Sequence, residues 1–267
     1  MGADTKKLKT RIKSVDSTLH LTKAMGLVAS SKIKRATDAM HKSREYDEAI
    51  TNAMSMLTAC RECMKSPYLQ KREVGKTALI IIAGDRGLAG GYNANIFRLA
   101  KEHKADEIFP IGKRFCDRYG GELTLAETFS YRDAMALSKE ICTRFAEGDF
   151  DRVGIISTKY VSMMSQEATL TWLLPLEKTD TEKVHSIVFE PDEITILNTA
   201  IFEYVTAKIV AAVRESFASE VAARRFAMDS AGKNAGQMLD DLQLQYNRAR
   251  QGAITQEITE IVAGSDA

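Results

Sequence analysis

The residues with the strongest claim to chemistry form the stretch Gly84-Asp85-Arg86-Gly87-Leu88-Ala89-Gly90-Gly91, which follows a β-branched run and precedes a helical pattern. Free backbone N–H groups at such a junction attract anions, so phosphate binding is the first chemistry to consider. The stretch lacks the Gly-Lys-Ser/Thr of a P-loop, its spacing is not GxGxxG, and no acidic residue stands where a ribose contact needs one. A tight crossover turn is the better reading, with Arg86 as a candidate interaction residue. The histidines His20, His41, His103 and His185 have no metal-ligand spacing. Cys60 and Cys63 form a CxxC, but they close a helical stretch, whereas a redox or zinc CxxC expects a strand-to-helix turn or a second ligand pair. There is no nucleophile elbow, no paired catalytic carboxylates and no thiol with a general base. The chain therefore reads as a non-enzyme, and no catalytic residue, cofactor or metal is expected.

A second polar cluster, Tyr246 to Val262, is of a different kind. Gln245, Gln256 and Thr259 interrupt an apolar seam, while Ile254, Ile258 and Ile261 make a stripe on another helix face. Arg250 and Gln251 add directional donors. A helix end that has outrun its partner yet carries three isoleucines is most simply explained by insertion into another protein.

The elements that must position these residues are two long helices around an α/β segment. From about Asp192 to Gly264 there is no proline, and Phe217, Val221, Arg224, Met228, Ala231, Ala235, Met238, Leu242, Gln245, Ala249 and Gly252 step by fours and threes. A helix of roughly 70 residues would reach on the order of 100 Å, so it needs a partner to cover its stripe. That partner is at the other end of the chain. From Asp4 to Lys65, Ile12, Val15, Leu19, Thr22, Gly26, Ala29, Ile33, Ala36 and Met40 keep the same rhythm, which resumes at Ile50, Met54 and Leu57 and stops at Ser66-Pro67. An antiparallel pair follows, with everything between inserted at one end, and its small seam residues predict that Arg224 lies near Thr22 and Gly26.

Between the helices, Thr77 to Ala83 reads as a buried strand, Asn93 to Lys104 as a helix, Ile108 to Ile111 as a strand, Arg132 to Glu147 as a helix, Arg152 to Ser157 and Glu167 to Leu174 as strands. Lys178 to Lys183 is a polar connection and Val184 to Phe189 a candidate edge strand. The fold class is α/β plus coiled coil: a long antiparallel two-helix coiled coil with a small doubly wound, Rossmann-like domain inserted. The expected segments are 1–65 (N-terminal coiled-coil helix), 75–190 (α/β domain) and 191–267 (C-terminal coiled-coil helix).

A net charge of +1 with 27% charged residues gives no reason to expect bulk nucleic-acid binding, although Lys6, Lys7, Lys9, Arg11, Lys13, Lys23, Lys32, Lys34 and Arg35 make the first helix basic. No apolar h-region follows Met1, and Lys6 stands where a myristoylation site wants Ser or Thr, so neither a secretory signal nor a lipid anchor is expected. The longest purely apolar run, Ala78 to Ala83, is too short to span a bilayer, so direct membrane insertion is not expected.

Three blocks of residues resemble the gamma subunit of the F-type rotary ATP synthase in its bacterial form. They are Arg11-Ile12-Lys13-Ser14-Val15 with Thr22-Lys23-Ala24-Met25 and Val28-Ala29-Ser30-Ser31-Lys32; Asp85-Arg86-Gly87-Leu88 with Gly90-Gly91-Tyr92-Asn93; and Arg224 through Gly264, including Tyr246-Asn247, Arg250-Gln251 and Ile254-Thr255-Gln256-Glu257. The resemblance implies a central rotor shaft coupling rotation of the membrane c-ring to ATP synthesis or hydrolysis in the beta subunits, with the catalytic sites in those subunits. By similarity Lys23, Met25 and Arg224 lie where the shaft meets beta-subunit loops, Arg250, Gln251, Thr255 and Glu257 contact the alpha/beta head higher up, and Glu190 falls at the foot beside the c-ring and the epsilon subunit. The implied location is peripheral, on the cytoplasmic face of the bacterial inner membrane. Gly84 and Ala89 replace the family's usual serine and cysteine, His20 a common lysine, and Gly264-Ser265 the usual Gly-Ala, and the cysteine-bearing insertion of chloroplast relatives is missing. A non-enzymatic coiled-coil scaffold or adaptor would instead form a homodimer in isolation, and a nucleotide-binding enzyme using the glycine-rich loop would bind ATP alone.

Overall fold

A run of five consecutive fully buried residues, Ala78 to Ile82, is possible in a strand only when both of its faces are covered. The computed structural model, which describes residues 3–73, 75–179 and 189–265, makes this run the body of β1 (Thr77–Ile82). With β2 (Glu107–Ile111), β3 (Arg152–Tyr160) and β4 (Gln166–Leu174) it forms a sheet of order β2-β1-β3-β4. β1 is parallel to both neighbours, Ile80 lying opposite Phe109 on one side and Ile155 on the other. Parallel pairing needs crossovers, and helices supply them: α2 (Tyr92–Glu102) joins β1 to β2, while α3 (Lys113–Tyr119) and α4 (Tyr131–Glu147) join β2 to β3. β3 and β4 are an antiparallel hairpin, with Ile156 opposite Leu170.

Alternation along β1 divides the core. Ala78, Ile80 and Ile82 share one cluster with Ile141, Cys142 and Phe145 of α4. Leu79 and Ile81 face the other way, toward Ile96 of α2 and Phe115 of α3. Helices on both faces make the sheet doubly wound, as the alternating pattern predicted. α4 is set by local chemistry at both ends: a capping box between Ser130 and Asp133 starts it, and Gly148 at φ 91° ends it.

The long helices are α1 (Ala3–Ala59) and α5 (Glu193–Ser265). The α-helical part of the first stops six residues short of the expected Lys65, because the chain tightens through a Cys60 N–H bond to the Leu57 carbonyl (3.1 Å) into a 3₁₀ turn, Glu62–Lys65. Asp192 caps α5 by accepting from the Thr195 N–H (2.9 Å) and hydroxyl (2.7 Å), and these bonds hold its carboxyl below the usual range. By length and composition α5 is able to cross a bilayer. Its apolar face has another role: Leu197, Ile201, Val205, Ile209 and Val213, each four residues on, are at most 1% exposed and close the sheet core.

The chain divides into two compact units, residues 31–223 and the pair 1–30 with 224–267. Within the larger, α1 and α5 meet through Ala36, Met40 and Ala218, a Lys208–Asp47 ion pair at 3.0 Å and an Arg44–Glu215 pair at 2.6 Å. Within the smaller, a Cβ placed on Gly26 would lie 3.7 Å from that of Met228, and one on Gly232 would lie 3.5 Å from the Thr22 hydroxyl. The pairs Gly26 with Met228 and Thr22 with Gly232 share one antiparallel register, in which Ser30 stands opposite Arg224.

That register corrects one expectation. Met228 rather than Arg224 faces Gly26, and Gly232 faces Thr22, so Arg224 sits one helical turn along α5 from the position facing Gly26 and two turns from the position facing Thr22. The notch left by Gly26 accommodates Met228, which is 6% exposed, better than a guanidinium that must reach polar partners. The seven-residue α3 was not anticipated, being too short to display a period. Most of the candidate edge strand Val184–Phe189, and the polar connection from residue 180 on, lie outside the described residues.

Candidate functional site

The glycine-rich turn starts where β1 ends. The Gly84 N–H donates to the Asn93 side-chain oxygen at 2.9 Å, and the next two, of Asp85 and Arg86, donate to the carboxylate of Glu220 on α5 at 3.4 and 3.3 Å. A Cβ on Gly84 would stand 2.9 Å from the Glu220 carboxyl carbon, so a side chain there would require the Glu220 carboxylate to shift. Asp85 in turn accepts from the N–H groups of Lys113 (3.2 Å), Ala126 (2.9 Å) and Glu127 (2.8 Å), tying the turn to α3 and the segment after it. The first three backbone donors of the stretch, those of Gly84, Asp85 and Arg86, are occupied by the protein's own side chains, which supports the reading of a structural turn. Outside this cradle, Arg86 is exposed and faces Glu127 at 3.5 Å, Lys32 of α1 pairs with the same carboxylate, and Leu88 is held at φ 60° with its side chain 61% exposed.

The cysteines are equally structural. Cys63 and Cys142 are buried, and desolvation pushes both thiols up to about 12, far from the thiolate that nucleophilic or redox chemistry needs. Among the described residues no three His, Cys, Asp or Glu side chains are placed to hold a metal ion.

The residues carried over from the resemblance fall at three places. In the smaller unit, Lys23 is exposed and lines a groove of about 550 Å³ with Leu19, Leu27, Arg225, Lys233 and Gly236, floored where Thr22 and Gly26 meet Met228 and Gly232. Met25 and Arg224 are half-buried and do not line that groove. Farther along α5, Arg250, Gln251 and Thr255 are all exposed, with the Thr255 hydroxyl bonded to the Gln251 carbonyl at 3.0 Å. Glu257 lies in the same helical stretch, but its side chain is outside what the structure describes. Glu190, in the larger unit, is exposed just before α5.

The stretch of α5 beyond about residue 251 has no α1 residue opposite it, because the same register would place Ala3 there. Burial agrees: Thr5 and Leu242 are covered, whereas Ile254, Ile258, Ile261 and Val262 are 47%, 57%, 71% and 55% exposed. The isoleucine stripe singled out in the sequence is an unpaired apolar face within this unit.

A long antiparallel hairpin, a doubly wound insertion and a bare, apolar helix end are a specific combination, and comparison with known proteins places it. A family model described as ATP synthase matches residues 4–267. The ATP synthase gamma chain of Ruminococcus albus is 39% identical over 282 residues, covering 98% of each chain, and the sodium ion specific ATP synthase gamma chain of Acetobacterium woodii is 37% identical over 300 residues, covering 100% of this chain and 99% of its own.

The chain belongs to the ATP synthase gamma-chain family.

The fold agrees. A chain in the Euglena gracilis mitochondrial ATP synthase superposes with a TM-score of 0.72 at 17% identity, covering 100% of this gamma chain and 95% of that one. A chain of the Tetrahymena thermophila mitochondrial ATP synthase central stalk and c-ring gives 0.62 at 22% identity, covering 79% and 99%. The resemblance carried by three blocks of residues thus extends over the full length of the gamma chain. Glu220 is not legible as a functional residue in the sequence. Its only signal is position: a lone carboxylate within Ala218-Ser219-Glu220-Val221-Ala222-Ala223, a stretch of small residues that is buried on every side.

Proposed function

We propose that this gamma chain is the non-catalytic central shaft of a bacterial rotary ATP synthase, working at the cytoplasmic face of the membrane. Its partners are the alpha and beta chains of the head, and at the foot the epsilon subunit and the c-ring. The observation that carries this reading is the bare end of α5, where three isoleucines stand exposed past the last residue that α1 can cover. An exposed apolar helix face of that kind marks a surface that other chains cover.

An asymmetric shaft changes the affinity of surrounding subunits because a partner seen from different sides has different interaction energies with each of their conformations. A rod that touched all of them alike would shift no population. This hairpin differs from side to side: the glycine groove around Lys23 opens on one face, and the isoleucine stripe is on a single face of a single helix. In this reading 1–65 and 191–267 are the shaft and 75–190 the foot. Lys23, Met25 and Arg224 act where beta-subunit loops touch the shaft, Arg250, Gln251, Thr255 and Glu257 act in the upper contacts with the head, and Glu190 acts toward the c-ring.

Copurification with alpha and beta chains tests the reading, using the full chain and a truncation after Gln245. The full chain should assemble and support ATP-driven ion pumping. The truncation should lose ATPase activity, and tight coupling retained in it would refute the roles given to Arg250 and Gln251.

A further inference from the structure

We propose that Glu220 is a latch that fixes the angular position of α5 against the α/β domain, and so is a positioning residue for coupling; this rests on the shaft reading above. Glu220 is 2% exposed, and its carboxylate sits in the cradle formed by the N–H groups of Asp85 and Arg86. A buried carboxylate is tolerated only where donors replace its water, and this turn provides them. The arrangement uses the physics of an anion site, with α5 supplying the anion.

Two further features make it a latch and not merely a satisfied charge. Gly84 lets the turn close directly over the Glu220 side chain, the space a Cβ would take lying only 2.9 Å from its carboxyl carbon. Tyr92, the first residue of α2, is buried beside it and donates its hydroxyl to the Ser216 carbonyl at 3.0 Å, one turn earlier on α5. On the same stretch Ser216 accepts from the Thr158 N–H at 3.0 Å, and the Ser219 hydroxyl donates to the Thr158 carbonyl at 3.3 Å. Ser216, Ser219 and Glu220 therefore engage β3, α2 and the glycine-rich turn within little more than one helical turn. Such directional bonds resist twisting of the helix, which apolar packing alone resists weakly.

The test uses the assembled complex carrying Glu220→Ala or Glu220→Gln. ATPase activity, ATP-driven ion pumping and hydrogen exchange of the 84–87 amides are measured on each. Glu220→Ala should keep assembly and ATPase activity, pump fewer ions per ATP, and lose about tenfold in protection at the Asp85 and Arg86 amides, the factor equivalent to about 1.4 kcal/mol. Glu220→Gln, whose amide oxygen still accepts, should recover part of both. Formate should restore protection in Glu220→Ala by occupying the vacated cradle. Unchanged protection in Glu220→Ala would show that the carboxylate does not hold the turn, and lost protection with wild-type pumping would show that the latch is not used in coupling. Failure of the unmodified chain to assemble with alpha and beta chains would overturn the shaft reading, and with it the coupling role.

Discussion

Bridging positions 26 and 228 would convert the register of the smaller unit into a covalent outcome. The Cβ of a residue at 26 lies 3.7 Å from that of Met228, within the roughly 3.5–4.5 Å that a disulfide spans. The double variant Gly26→Cys, Met228→Cys, with the partly exposed Cys60 replaced by serine and the three buried cysteines retained, should cross-link under mild oxidation. Closing a loop of about 200 residues removes on the order of 5 kcal/mol of unfolded-state entropy, which strain typically reduces to about 2–4 kcal/mol. At about 2–4 °C per kcal/mol for a chain of this size, the oxidised form should melt about 5–15 °C above the reduced form of the same variant. Comparing redox states cancels the cost of trimming the buried Met228, about 2–4 kcal/mol in both. The control is Gly26→Cys, Arg224→Cys: four residues along α5 move the second sulfur by about 6 Å, out of reach. Mobility on a non-reducing gel and the melting temperature report the result. Preferential cross-linking of the 26/224 pair would refute the register and restore the one predicted from small seam residues.

Gly112→Ala should lower the urea midpoint by the equivalent of more than about 3 kcal/mol, since the residue has φ +100° and a Cβ there would meet the Ala83 carbonyl oxygen at 2.0 Å; an unchanged midpoint would mean that the turn after β2 is not built this way. Tyr46 and Tyr131 both donate to Glu203, and that bond pushes each up to about 12, while burial does the same for Tyr68 and Tyr204. The folded chain therefore retains protons that the unfolded chain releases near 10, so this stability is fully present below pH 10 and declines as pH rises toward about 12. Phenolate absorbance of the folded protein followed against pH checks it, and ionisation of every tyrosine near 10 would contradict the arrangement.

The two long helices, the central strand and the unpaired stripe are legible in the sequence because each is a local, one-dimensional pattern. Steps of three and four over dozens of residues specify a helix and the face it must cover, and an uninterrupted run such as Ala78 to Ala83 specifies a strand buried on both sides. Ile254, Ile258 and Ile261 leave the seam visibly, so the place where α5 outruns its partner is also written in the chain. The long ordered agreement of residue blocks added the family.

What only the tertiary structure decided is which residue meets which. Small residues line both helices of the coiled coil, so sliding one past the other by a turn exchanges one small pair for another at little cost in pattern. The choice fell to packing, with Met228 filling the space over Gly26. α3, seven residues between Gly112 and Gly120, is tied at its start by Asp85, which accepts from the Lys113 N–H, and a contact 28 residues away in sequence leaves no period to read. Glu220 is the sharpest case. In the sequence it is a lone acid among small residues, and the glycine-rich turn 134 residues earlier looks like a cradle for an external anion. The fold brings them together, and the desolvated carboxylate and the unsatisfied N–H groups, each costly alone, satisfy one another.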